Sequence, residues 1–434
     1  MLSQNMKSFI AGRRLPARTM VREWFLNGLL MALSLPAAAH AQNLVIENGR
    51  YTQTREKSFT VEPGGRLEME RVSGNISMKS WQQNRVTVRV RYRVDAASEA
   101  DARRIIAKIE DRYVDGEDIL RVDGRRGYHR FVDRDYTILI PRHFDVEIGT
   151  ESGNITVEDV SGDIDLSSGG GEIHVAGIDG DVAANSAGGG LYFSRVTGAV
   201  EASTAGGEIE VEDVSDDVDL VTAGGGVIVR KVGRDVSVIS AGGDIDITGV
   251  GGDLDAETAG GQLHVRAVKG EVDVTTAGGS VELRDLSGPV YAQTHGGDIW
   301  GRNLSGALEL ETSAGDINLE ELHGSVDAAT AVGSIDVDVT LAEFRRAHEI
   351  RLRTSNGDIR LSLPALLPAT ITASVHQRGR WDRNDIYSDF PLVRSGSDKR
   401  DNATVRSHGN INGSGDAIDV KTNGGSIHIR KKAN

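Results

Sequence analysis

Four consecutive stretches decide how this chain folds: TAGGEIEVEDVSDDVDLV (residues 204–221), TAGGGVIVRKVGRDVSVI (222–239), SAGGDIDITGVGGDLDAE (240–257) and TAGGQLHVRAVKGEVDVT (258–275). Each is 18 residues long and opens on a hydroxyl residue followed by a Gly-rich corner. The same opening recurs at Thr150, Ser168, Ser186, Thr204, Thr222, Ser240, Thr258, Thr276, Thr294, Thr312 and Thr330, without a slip in register. A fixed short period of this kind is the signature of a stacked repeat architecture. Within a copy the apolar residues alternate, as in Ile209, Val211, Val214, Val218 and Leu220, so each repeat holds two short strands with one face buried. Glycines mark the breaks, both at the Gly-Gly pair and near Gly180, Gly198, Gly270 and Gly288, where they give the corners backbone freedom.

A unit this small cannot bury its own apolar face, and stacking each coil on the next does so. The reading is therefore all-β: a single-chain parallel β-solenoid with 18-residue coils, two short strands per coil, spanning residues 150–340. At about 4.8 Å per coil the eleven copies make a rod on the order of 50 Å long. The opening Thr or Ser continues the inward alternation of Val218, Leu220 and Thr222. That predicts an internal hydroxyl ladder, satisfied by neighbouring hydroxyls and by corner backbone groups.

Outward from the repeats, residues 42–149 read as an N-terminal β-rich cap with one helix. Strands are expected over 58–61, 67–70, 86–94 and 136–140, and a helix from Ser98, a suitable N-cap, to about Tyr113. After Thr330 the register breaks, residues 341–347 insert, and the motif returns at Thr354. Residues 341–434 are expected to form the C-terminal end of the solenoid and a β cap, with a polar loop over 376–404. Lys431 and Lys432 put charge on the final edge, a device against edge-to-edge association.

At the other end, Phe25 to Ala39 is an apolar run preceded by Arg13, Arg14, Arg18 and Arg22, and it closes on Ala39-His40-Ala41. This pattern reads as a signal peptide over 1–41, with Met20 an alternative start, and it places the protein in the periplasm, on the outer-membrane surface or outside the cell. The run is short for a membrane span, and no span is expected in the mature chain. There is no cysteine, hence no disulfide and no lipobox.

The net charge is −15, and between Thr150 and Thr340 there are 35 Asp and Glu against 8 Lys and Arg. Nucleic acid is a poor partner for such a surface. Asp163, Asp181, Asp217, Asp235, Asp253 and Glu271 share one repeat position. Stacked carboxylates could hold weak calcium on this acidic face, but the column is interrupted at Ala199, and a solvated face that keeps the rod soluble accounts for it better. Pairs such as Asp163/Asp165 and Asp244/Asp246 superficially suit glycosidase chemistry, yet similar outward acids recur throughout. The 11 histidines show no metal-ligand spacing, and no Gly-x-Ser-x-Gly elbow is present. No catalytic, metal or cofactor-binding residue is therefore assigned, and no cofactor is expected. The candidate ligand contacts are the aromatics Trp300 and Tyr192, at outward repeat positions, and Trp381 and Tyr387 in the C-terminal polar stretch.

Several motifs flank the repeats: Pro63-Gly64-Gly65, Val72-Ser73-Gly74-Asn75-Ile76, Trp81, Ile140-Pro141-Arg142, Thr150-Glu151-Ser152-Gly153-Asn154-Ile155, Ser388-Asp389-Phe390-Pro391 and the terminal Gly424-Gly425-Ser426-Ile427-His428-Ile429. Together they resemble the bacterial putative-adhesin family, exported β-strand-repeat proteins of unknown function, from roughly residue 57 to the end. The resemblance implies a surface or extracellular binding role with an unknown glycan or protein partner, and supplies no site residues. The functions in competition are a non-catalytic binding scaffold, a polysaccharide-active β-helix enzyme, and an envelope structural protein that binds other proteins.

Overall fold

A computed structural model describes residues 44–116, 118–124, 132–340, 348–377, 384–395, 404–413 and 415–432. The expected signal peptide, the insertion at 341–347 and Trp381 lie outside the described residues. Successive coils pair as parallel strands in strict register, giving two long sheets of nineteen strands each. Sheet 1 carries the strand after the Gly-rich corner, as in Ile209–Val214, and sheet 2 the strand before it, as in Val218–Thr222. Ile209 stands over Leu191 and under Val227, and Thr222 over Thr204 and under Ser240, and so on along the rod. The inward columns of the two sheets form one continuous apolar core. Phe193 is accommodated where the strands before and after it carry the small Ala184 and Ala202 at their central inward position, a large-against-small arrangement that keeps the thin interior filled.

The hydroxyl ladder is present and buried, with Thr222, Ser240 and Thr276 at 1% exposure or less. Its partners differ in part from expectation: the repeat hydroxyls bond to corner backbone, not to one another. Thr204 Oγ1 donates to Gly189 O of the preceding coil (3.0 Å) and accepts from Gly207 N of its own corner (3.2 Å). Gly207 O then accepts from Thr222 (3.3 Å), whose Oγ1 accepts from Gly225 N (3.1 Å). The spacing of strands in a sheet sets hydroxyls too far apart to be the better partner, and each corner brings an otherwise unpaired N–H and C=O to the same point.

That corner also revises the role of its glycines. A Cβ on Gly207 would lie 2.0 Å from Gly189 O, whereas one on Gly206 would meet nothing within 4 Å. The fourth residue of the motif is glycine because the coils approach each other there, with a positive φ as a further demand at Gly153 and Gly333. A left-handed residue does occur in most coils, but elsewhere: Arg195, Asp213, Lys231, Ala267, Asp285, Asn303 and Glu321 all have φ between 53° and 62° near the end of the sheet 1 strand. This kink turns the next residue, such as Val196 or Val268, back into the core.

The ends are less simple than caps. Arg66–Val72 and Asn75–Trp81 form a coil of the stack itself, seated between Asp145–Thr150 and Ile155–Glu158 on one side and Ile119–Asp123 and Val132–Pro141 on the other. At the far end, Asp416–Thr422 and Ile427–Lys432 insert between the coil at Glu349–Pro364 and the strands Ala369–His376 and Ile386–Ser388. Both terminal coils are thus threaded between others. Beyond the first lie antiparallel strands Arg50–Thr60 and Arg85–Val94. The former extends well ahead of the expected 58–61, because its first half is polar and shows no alternation. Helix α1 runs Glu99–Ile109 from Ser98, whose Oγ accepts from Asp101 N. It stops short of Tyr113 because Arg112–Asp115 forms an edge strand of sheet 2. Within the stretch read as a polar loop, Ile386–Ser388 ends sheet 1 and Val393–Ser395 ends sheet 2. Two short edge strands of this kind leave their unpaired backbone groups over only three residues each.

Candidate functional site

The column of acids has a specific use. Asp163 Oδ1 accepts from Asp181 N (3.2 Å), Asp181 Oδ1 from Ala199 N (2.9 Å), Asp235 Oδ1 from Asp253 N (2.8 Å) and Asp253 Oδ1 from Glu271 N (2.8 Å). Each carboxylate caps the turn of the next coil, so Ala199 can receive a bond and cannot pass one on. Glu271 faces Pro289, which has no N–H to cap. A parallel ladder runs at the other corner, where Asp244 accepts from Gln262 N and Asp298 from Asp316 N, both at 2.8 Å. Asp163 and Asp244, each one half of a pair that invited a glycosidase reading, are therefore engaged with backbone. No cluster of three or more metal-ligating side chains occurs among the described residues.

The two outer faces of the shaft differ. On the sheet 2 strands between Ile164 and Thr330 there is no Lys or Arg, and acids such as Glu201, Asp219, Asp255, Asp273, Glu309 and Asp327 dominate. Partial burial pushes the Asp255 carboxyl up, helped by Glu257, and burial with the neighbouring Asp255 does the same to Asp273. Sheet 1 carries most of the shaft's basic residues and its stacked aromatics. Tyr192 stacks on His174 of the previous coil, with centroids 4.6 Å apart and planes at 13°. Trp300 lies under the Arg284 guanidinium, 4.6 Å from the ring centroid. Tyr387, half exposed, stacks on His428 at 4.9 Å.

Three of the four sequence candidates fall in one column. Register links Trp300 to Asn318, Asp336, Arg360, His428 and finally Tyr387, and Tyr192 stands in the same column toward the other end. What sequence reading missed is the neighbouring column, two residues along each strand, where Arg266, Arg284 and Arg302 stand directly over one another. The signal was available, since the three differ by single 18-residue steps. Between the columns runs a trench floored by sheet backbone and walled by Asp246, His264 and Glu282 on one side and by Thr248, Arg266 and Arg284 on the other. A second such hollow lies beside His174 and Tyr192, where Ala176 and Ser194 are short. Arg284 pairs with Glu282, and Arg302 with Glu321 (2.9 Å) and Glu320 (4.0 Å). Arg266, exposed, has no carboxylate within ion-pair range among the described residues.

A separate buried cluster lies in the N-terminal region. Asp111 accepts from Tyr136 Oη (2.9 Å) and from Arg134 Nη1 (3.2 Å). Burial pushes its carboxyl up to about 6, against the opposing pull of Arg134 and Tyr136. It is walled in by protein and offers no access to a ligand.

A family model described as Toastrack DUF4097 matches residues 60–301, more than half of the chain. This chain belongs to the Toastrack DUF4097 family. The match begins just before the threaded N-terminal coil and ends beside Trp300, so the Toastrack region includes the arginine column up to Arg284. The putative-adhesin resemblance read from the turn motifs agrees with this. A solved structure described as a putative adhesin of Bacteroides fragilis is 12% identical, covering 66% of this chain and 97% of that one, with a TM-score of 0.29. Another, a putative cell adhesion protein of Clostridium sporogenes, is 9% identical, covering 87% and 100%, with a TM-score of 0.14. Neither superposition is close enough to transfer a site or a ligand. No curated protein matches the chain. Among the described residues no helix is long and apolar enough to cross a membrane.

Proposed function

We propose that this Toastrack protein is an exported, non-catalytic, adhesin-like binding scaffold of the cell envelope, with a surface glycan or protein as partner. The observation that carries the reading is the division of labour in the shaft. Repeated hydroxyls and carboxylates are committed to corner backbone, while the outer face of sheet 1 gathers Tyr192, Trp300 and three stacked arginines in one lengthwise strip. Aromatic and Arg side chains are the types that anchor recognition surfaces. The N-terminal Arg-flanked apolar run and its Ala39-His40-Ala41 ending support export. Carboxylates that recur from coil to coil and cap backbone N–H groups support a surface without a reacting centre.

Protease shaving of intact cells combined with fractionation tests the location. Recovery in the envelope or medium is expected, and recovery in the cytosol overturns export. Incubation with a panel of uronate and neutral polymers tests the second half. Turnover that disappears when a local acid pair is mutated overturns the non-catalytic reading in favour of a polysaccharide-active enzyme.

A further inference from the structure

The geometry points to a ligand class for this strip: we infer that the trench beside Arg266, Arg284 and Trp300 takes an extended anionic saccharide, one of whose carboxylates pairs with Arg266. The inference rests on the binding-scaffold reading and deepens it.

Three observations carry it. First, like charges on adjacent parallel strands repel, each contact costing on the order of 1 kcal/mol in water. The shaft nonetheless spends three of its 8 basic residues on one consecutive run, Arg266, Arg284 and Arg302. Glu282, Glu320 and Glu321 neutralise two of them and leave Arg266 open. A guanidinium so placed offers a planar donor fork that matches a carboxylate. Second, Trp300 closes that end of the trench with Arg284 over one ring face, while the next rung of its column is the short Asn318. A pyranose ring at that end of the trench can lie against the solvent-facing edge of Trp300, one rung beyond Glu282. Third, Asp246, His264 and Glu282 line the opposite wall with hydrogen-bonding groups suited to hydroxyls. The coil spacing of about 4.8 Å is close to the advance of one sugar in an extended chain. Successive sugars thus stay in step with successive rungs. A peptide strand, at about 3.3 Å per residue, would not stay in step.

Calorimetric titration of the purified protein with hexagalacturonate and with neutral cellohexaose, in EDTA, tests this. Binding of the uronate hexamer alone is expected. Arg266→Ala is expected to weaken it on the order of tenfold or more, Trp300→Ala several-fold, and Arg266→Lys less than Arg266→Ala. Both side chains point outward, and an unchanged melting curve confirms that each variant folds. Uronate affinity indifferent to both Arg266→Ala and Trp300→Ala overturns the site. Equal affinity for cellohexaose overturns the ligand class and leaves the scaffold reading standing. So does binding of neither hexamer at millimolar concentration. Binding that requires added calcium and survives Arg266→Ala would place the saccharide on the acidic face of sheet 2, and the inference fails. The location and turnover assays above depend on none of these outcomes.

Discussion

Thr276→Val isolates the hydroxyl ladder, because valine keeps the size and shape of threonine. Thr276 is fully buried. Its Oγ1 donates to Gly261 O at 3.0 Å and accepts from Gly279 N at 3.2 Å. Valine leaves that carbonyl and that N–H buried without partners, each worth about 1–3 kcal/mol. It gains almost nothing in return, since the threonine methyl is already packed. The expected loss is therefore about 2–6 kcal/mol, felt in the coils either side. Thr276→Ser retains both bonds and loses one methyl, for about 1 kcal/mol, and Ser168, Ser186 and Ser240 already fill the same position. A repeat rod need not unfold in one step. Hydrogen exchange at the Gly279 amide and its neighbours, alongside urea unfolding, is the appropriate assay. Hydrophobic burial alone predicts the reverse order, with valine the better residue. A Thr276→Val protein as stable as Thr276→Ser, with Gly279 equally protected, would refute the ladder argument.

Adjacent glycines should behave oppositely. In Gly279→Ala the new Cβ meets Gly261 O at 1.9 Å and coil stacking should fail, whereas Gly278→Ala, with nothing closer than 3.8 Å, should leave the melting temperature within a degree or two. Ala267 has φ 57°, so Ala267→Gly should raise the urea midpoint by the equivalent of about 0.5–1 kcal/mol, as Gly177 and Gly249 at the same position suggest. Asp253→Ala removes the acceptor for Glu271 N and should destabilise by about 1 kcal/mol, while Asp253→Asn keeps it. If the acid column is only a capping device, millimolar calcium should not move the melting curve of the parent protein. Asp111 titrates near 6 in the folded chain and at about 3.9 when unfolded. Between those values the folded form holds a proton that the unfolded form has released. Its contribution is therefore full below about pH 4 and is lost as pH rises through 6. The stability difference between the parent and Asp111→Asn, followed by urea unfolding from pH 4 to 7, should shift against the parent across that window.

The two-strand coil was legible because period and alternation are both carried by residue type. Ile209, Val211 and Thr222 declare their faces without help from any neighbour. Trp300 and Tyr192 could likewise be placed outward, and they differ by six full repeats. The partner of each Thr hydroxyl was not legible, since it depends on which backbone atom of another coil comes within reach. Left-handed Arg195, Lys231 and Ala267 escaped for a related reason. Their residue types carry no turn signal, and stacking imposes the kink that local propensity would not choose. Tyr387 joined the aromatic column only through the strand order at the end of the rod, which no periodicity records. The ends were opaque because Thr422 reaches its neighbour Thr354 across 68 residues of intervening chain, not 18.

That threading bears on how the rod carries load. A simple stack held by its two chain ends would shed its outermost coil first, one strand at a time, like tape from a roll. Here the strand Asp416–Thr422 is gripped on both sides, by Glu349–Thr354 and by Ala369–His376, and Arg66–Val72 is gripped likewise. Pulling either of these strands out of the stack therefore means breaking two backbone ladders at once. Between two surfaces, such a rod would resist peeling at the points where the force is applied.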